Sequence, residues 1–221
     1  MKIKILKFII AILLLPFCAG GLRTLWFLTQ ALARADMVWV PIVAGFAAWL
    51  VIYALLPKPM RVYIFGHELT HAFWTVVFGG KVKGFKASAK GGHVVVTKSN
   101  FITYLAPYFF PIYAILVCAI YAVASVFLEI QNFRAIFHLL LGAAYAFHVT
   151  FTINVLQTKQ TDISSQGKFF SWVIIAIGNF AVLIIGIPLL SGFSVLTSLK
   201  FWFLTSIHYY ERIFSACRTV L

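Results

Sequence analysis

The densest group of ionisable side chains in this sequence is the segment Phe65-Gly66-His67-Glu68-Leu69-Thr70-His71, which carries the HExxH spacing. Residues four apart share one face of a helix, so the imidazoles of His67 and His71 can both reach one metal ion at about 2.0–2.1 Å. Glu68 projects beside that face, where a carboxylate can hold a water on the metal and take its proton without being a ligand. With 6 His in the whole chain, and Glu only at 68, 129 and 211, a chance meeting in a polar helix contact is the weaker explanation. A catalytic zinc has three protein ligands and an open position, so a third donor is needed. Asp36 and Glu129 lie at the ends of apolar runs beside Arg34 and Arg134, and Glu211 adjoins Arg212, which gives these three acids interfacial roles. Asp162 remains, and by residue type alone it reads equally as a ligand, a solvated loop aspartate or a helix cap.

The elements that must position these groups are unusually apolar. Of 221 residues, 62% are hydrophobic and 10% charged, with a mean hydropathy of +0.99, which excludes an ordinary soluble domain. One helical crossing takes about 20 apolar residues, so the chain has room for about six. Apolar runs at 8–22, 37–56, 60–78, 101–128, 133–156 and 169–190 supply them. Lys2, Lys4 and Lys7 precede the first run in the manner of a secretory signal, but a good small-residue cleavage site is missing, and a retained anchor is expected. Pro57 and Pro59 break the second run, Gly79-Gly80 ends the third, and Glu68 therefore sits mid-helix, where an intramembrane carboxylate is a functional candidate by default. Residues 81–100 hold five lysines, no acid and the run His93-Val94-Val95-Val96, which reads as a small β-hairpin or loop. Those lysines argue for a cytoplasmic loop, which puts the N-terminal lysines on the opposite side if every run spans. The tail from residue 193 suits an interfacial amphipathic helix or a partial seventh span.

The net charge of +13 comes from basic residues set between apolar runs, a pattern for lipid headgroups rather than for nucleic acid. Cys18, Cys118 and Cys217 are odd in number and far apart, and read as packing residues rather than as a disulfide framework or a thiolate site.

HExxH in an apolar run, the glycine-rich segment after it and the stretch from Asn154 to Asp162 together resemble the site-2 protease family of intramembrane zinc metallopeptidases. That family pairs an HExxH helix with a later helix bearing a pattern like NxxPxxPLDG, whose Asp is the third zinc ligand. Here the matching stretch is Asn154-Val155-Leu156-Gln157-Thr158-Lys159-Gln160-Thr161-Asp162, with the same eight-residue step. Gln157 and Gln160 stand where the family has prolines, Thr161 replaces Leu and Ile163 replaces Gly. The resemblance covers residues 60–80, 101–128 and 133–162, within a stretch from 60 to 162 that is about half the chain, without a PDZ-like insertion. It implies His67, His71 and Asp162 as ligands of one zinc ion per chain and Glu68 as general base. It also implies Asn154 as a group that hydrogen-bonds substrate or the developing oxyanion. Gly92, His93 and Val94 would belong to a strand that pairs with extended substrate, as an exposed strand edge can. An ordinary loop whose lysines bind anionic lipid is an equal reading of that strand, and His93 alone reads more simply as a surface histidine. His148, six residues before Asn154, reads as a packed polar contact in preference to a group behind the ligands.

The expectation is an all-α polytopic membrane protein with about six transmembrane helices and a small β-hairpin or loop after the HExxH helix. It divides into anchor spans (1–59), a catalytic core (60–168) and a C-terminal span with its interfacial helix (169–221). In a bacterium its place is the plasma membrane. The expected activity is zinc-dependent hydrolysis of peptide bonds in membrane-associated proteins or peptides. Two other readings keep part of this picture. An inactive zinc-binding adaptor is disfavoured by Glu68, since structural zinc sites close the fourth position with another protein ligand. A transporter with a histidine–glutamate relay is disfavoured by the scarcity of acids in the other spans.

Overall fold

The structure is a computed structural model that describes residues 2–31 and 36–220. It is mostly helical, with one two-stranded hairpin. In chain order the elements are α1 (Lys2–Ala31), α2 (Asp36–Leu55), α3 (Met60–Val77), β1 (Val82–Ser88), β2 (Gly91–Val96), α4 (Phe101–Leu105), α5 (Ile112–Phe127), α6 (Arg134–Leu156), α7 (Thr161–Gln166), α8 (Lys168–Ser191) and α9 (Val195–Val220). Among the described residues four helices, α1, α2, α6 and α8, are long and apolar enough to cross a membrane, which is the composition of a membrane protein.

A fifth candidate is a broken pair. The run expected as one span over 101–128 is bent by 82° between Phe101–Tyr108 and Ile112–Phe127. Its cause is local. Pro107 lies in the first positions of a 3-10 turn, Ala106–Tyr108, and Pro111 lacks the N–H that would continue a helix into α5. The HExxH helix α3, 18 residues long, is not among the four long apolar helices.

Two compact units make up the chain. One is Asp36–Asp162, and the other combines Met1–Ala35 with Ile163–Leu221. In the second, the Trp202 Nε1–H of α9 donates to the Phe17 carbonyl of α1 at 2.9 Å, and Phe201 stacks on Phe27 at 4.7 Å. The tail is thus a 26-residue helix packed along α1. Glu211 lies 3.7 Å from His208. The expected Asp36–Arg34 pairing falls outside the described residues. Cys18 is half-buried, whereas Cys118 and Cys217 lie on exposed helix faces instead of in packing contacts.

The first unit holds the predicted site residues, and α2 with α6 is its scaffold. A Cβ on Gly45 would stand 1.9 Å from the Leu139 carbonyl oxygen, and one on Gly142 would stand 2.0 Å from that of Ile42. The two helices therefore meet backbone to backbone, as small residues permit between membrane helices. Trp49 Nε1–H donates to Thr150 across the same seam at 3.0 Å. Against this pair packs α3, through Tyr63 stacked on Phe151 at 5.1 Å and joined by Phe147 in a buried aromatic cluster. Gly142→Leu is expected to part α2 from α6 and destabilise the protein by about 1–3 kcal/mol, the usual cost of overpacking, read as a lowered melting temperature in detergent micelles.

Candidate metal centre

Every group of the site lies within the Asp36–Asp162 unit. α3 starts after Pro59, and Gly79, at φ +70, closes its C-terminus. Between these ends His67 and His71 occupy one face, with ring centroids 4.9 Å apart. The third member comes from the first turn of α7. Past the end of α6, Gln160 Nε2–H donates to the Val155 carbonyl at 3.0 Å and to Thr158 Oγ1 at 2.7 Å, which closes the turn that delivers Asp162. Asp162 Oδ2 lies 3.7 Å from His67 Nε2 and 3.5 Å from His71 Nε2. Ligands held tetrahedrally at about 2.0–2.1 Å from zinc stand roughly 3.3–3.4 Å from one another, so the three donors fit one small cation. One ligand atom from each of the three residues falls within 4.8 Å of the others, a group that could hold a metal ion. Burial alone would raise the Asp162 carboxyl, but the hydrogen-bonded imidazoles beside it outweigh burial and hold it below the usual carboxylate range. It is thus an anion ready to ligate.

Two of the donors have visible supports. The Thr103 carbonyl lies 2.7 Å from His71 Nδ1 and can only accept, so Nδ1 donates, and Nε2, which faces Asp162, would turn its lone pair to a metal ion bound between the two. Thr103 is fixed in turn by Asn100, the N-cap of α4, whose Oδ1 accepts from the Thr103 N–H at 2.9 Å. Tyr108, almost fully buried, donates its hydroxyl to Asp162 Oδ2 at 3.1 Å and sets its ring edge-on to His67 at 5.3 Å. Tyr108→Phe keeps the ring and removes the hydroxyl. It is expected to weaken metal binding by about 10–100-fold, measured by chelator competition.

Glu68, buried on the adjoining face of α3, is approached by the hairpin. β1 and β2 are antiparallel with Lys86 opposite His93 and Ala87 opposite Gly92. A Cβ on Gly92 would meet Glu68 Cγ at 2.6 Å and Oε1 at 2.8 Å, so only glycine lets β2 come this near the carboxylate. The predicted residues Gly92, His93 and Val94 line one cavity of about 410 Å³ together with His67, Glu68, His71 and Asp162. Asn154 is not part of that lining; its side-chain amide donates to the Tyr53 hydroxyl at 3.2 Å. Gly92→Ala is expected to push Glu68 aside while leaving metal content unchanged, read by metal analysis of the purified variant.

Comparison with protein-family models, curated proteins and solved structures gives no match.

The site therefore stands on its own geometry. Tyr108, Thr103 and Asn100 escaped the sequence reading. The step from Asn100 to Thr103 is a readable cap signal for α4, but no spacing rule ties Tyr108 to an aspartate 54 positions later.

Proposed function

We propose that this chain is an intramembrane zinc metallopeptidase, akin to the site-2 proteases it resembles, which hydrolyses peptide bonds of membrane-associated proteins or peptides. The observation that carries this reading is the meeting of His67, His71 and Asp162 in one cavity with Glu68. Two imidazoles and a carboxylate would suit catalytic zinc, one ion per chain, since such an ion takes three protein ligands and keeps a further position for water. Bound there, zinc supplies Lewis acidity and lowers the pKa of water towards about 7. Glu68 takes the proton of the attacking water and returns it to the leaving amine. The outer edge of β2, at Gly92, His93 and Val94, receives the substrate as an added strand, because a helix hides its peptide bonds in its own hydrogen-bond ladder and must unwind to be cut.

In this reading α3 and the bent pair join the four long helices within the bilayer, which makes six crossings. With 18 residues α3 extends about 27 Å, close to the hydrocarbon thickness of about 30 Å. Water reaches the metal through the cavity, whose polar lining replaces what lipid cannot offer.

The test is metal analysis of the protein purified in detergent, alongside cleavage of membrane-tethered peptides carrying helix-breaking residues. One zinc per chain is expected, with cleavage abolished by a chelator and restored by zinc. Purified protein that takes up no zinc would overturn the proposal, and zinc without cleavage would reduce it to a binding adaptor.

A further inference from the structure

The two histidines of α3 are supported unequally. His71 donates from Nδ1 to the Thr103 carbonyl, the outer hydrogen bond that metal-ligating histidines almost always make. His67 Nδ1 is buried and, among the described residues, has no hydrogen-bond partner. The same holds for Nε2 of His148, a buried histidine of α6 that the proposed chemistry leaves unused. His67 and His148 line a second cavity, separate from the large one, with a volume of about 10 Å³. That is roughly the room one water molecule requires. Thr70 lines it as well, and its hydroxyl donates to the Gly66 carbonyl at 2.8 Å, which leaves the oxygen free to accept.

We propose that His148 is a positioning residue for the metal centre, holding the His67 ring through one water bound in this small cavity. The inference rests on the reading of His67 as a metal ligand. With Nε2 turned to the metal, His67 carries its proton on Nδ1 and donates it to the water. The water then donates to His148 Nε2 and to Thr70 Oγ1. It thereby has three polar partners, the usual number for a buried water. Both orphaned nitrogens are satisfied, and His67 gains the fixed tautomer that His71 owes to Thr103. The His148 nitrogen must therefore accept, which a neutral imidazole does.

The test is zinc affinity by chelator competition on the purified full chain, comparing wild type with His148→Leu and His148→Gln. Leucine fills the space without a polar atom and is expected to weaken zinc binding by about 10–100-fold, the range found when an outer partner of a ligand is removed. Glutamine presents a carbonyl to the water and is expected to restore most of the loss, which a packing role would not predict. Cobalt-loaded protein should follow the same order, with an altered visible spectrum in the leucine variant alone. Equal affinity in wild type and His148→Leu, or equal loss in both variants, overturns the proposal. If leucine does not fold, His148→Asn replaces it, since its amide is too short to reach the water. If wild type itself binds no zinc, the metal centre fails and this inference with it. A wild type that binds zinc beside an unaffected leucine variant sinks the His148 role alone.

Discussion

Replacing Glu68 by Gln should leave zinc bound at one ion per chain and lower cleavage of a tethered peptide by roughly 10²–10⁴-fold, the usual worth of general acid–base catalysis. Glutamine has nearly the same shape, so the close contact with Gly92 and the burial on α3 are kept. What disappears is the ability to accept a proton from water. The comparison is therefore sharper than a change to alanine, which would also open space beside β2. Metal analysis and a cleavage assay on the same preparation make the measurement. A Glu68→Gln protein that cleaves at the wild-type rate would remove the proposed base, and with it the peptidase reading.

Asp162→Ala should act on the other half of the site, lowering zinc affinity by more than about 100-fold, beyond what losing an outer-shell partner costs. Two imidazoles on one helix remain, but the donor lying 3.5 and 3.7 Å from them is gone. Tyr108 also loses its 3.1 Å hydrogen bond to the carboxylate, keeping the longer one to Gln160 Oε1 at 3.5 Å. Cleavage should fall in proportion at limiting zinc and recover partly when zinc is in large excess. Recovery of that kind is absent for Glu68→Gln, so the two variants separate a group that binds metal from one that moves a proton. Unchanged zinc affinity in Asp162→Ala would show that the third ligand lies elsewhere.

Much of this was legible from residue types because the signals are local. HExxH fixes two histidines on a helix face by the helical repeat alone, and the prolines and glycines flanking α3 mark its ends. The five-lysine segment declared itself as non-helical through its glycines and its β-branched run, and it forms the β1–β2 hairpin. The bend in the fourth apolar run was present in the sequence as Pro107 and Pro111, but uniform hydropathy on both sides of them masked it. Asp162 needed the family pattern, since a lone aspartate after a helix carries no periodicity that aims it at a residue 91 or 95 positions earlier. The same pattern led to Asn154, yet hydropathy says nothing about the Tyr53 hydroxyl that engages its amide. The grouping of α2 with α3 through α6 depends on Gly45 and Gly142 facing each other's helices, a tertiary fact with no signature along one strand of sequence.

The short stretch Phe101–Tyr108 ahead of the sharp bend holds both the carbonyl that steadies His71 and the phenol that steadies Asp162. An imidazole and a carboxylate thus share one mechanical mount. Anything that shifts this mount, a lipid, a substrate or a substitution at the Asn100 cap, loosens two of the three metal donors in the same motion. An ion held as proposed would accordingly lose His71 and Asp162 together, with His67 alone left to it.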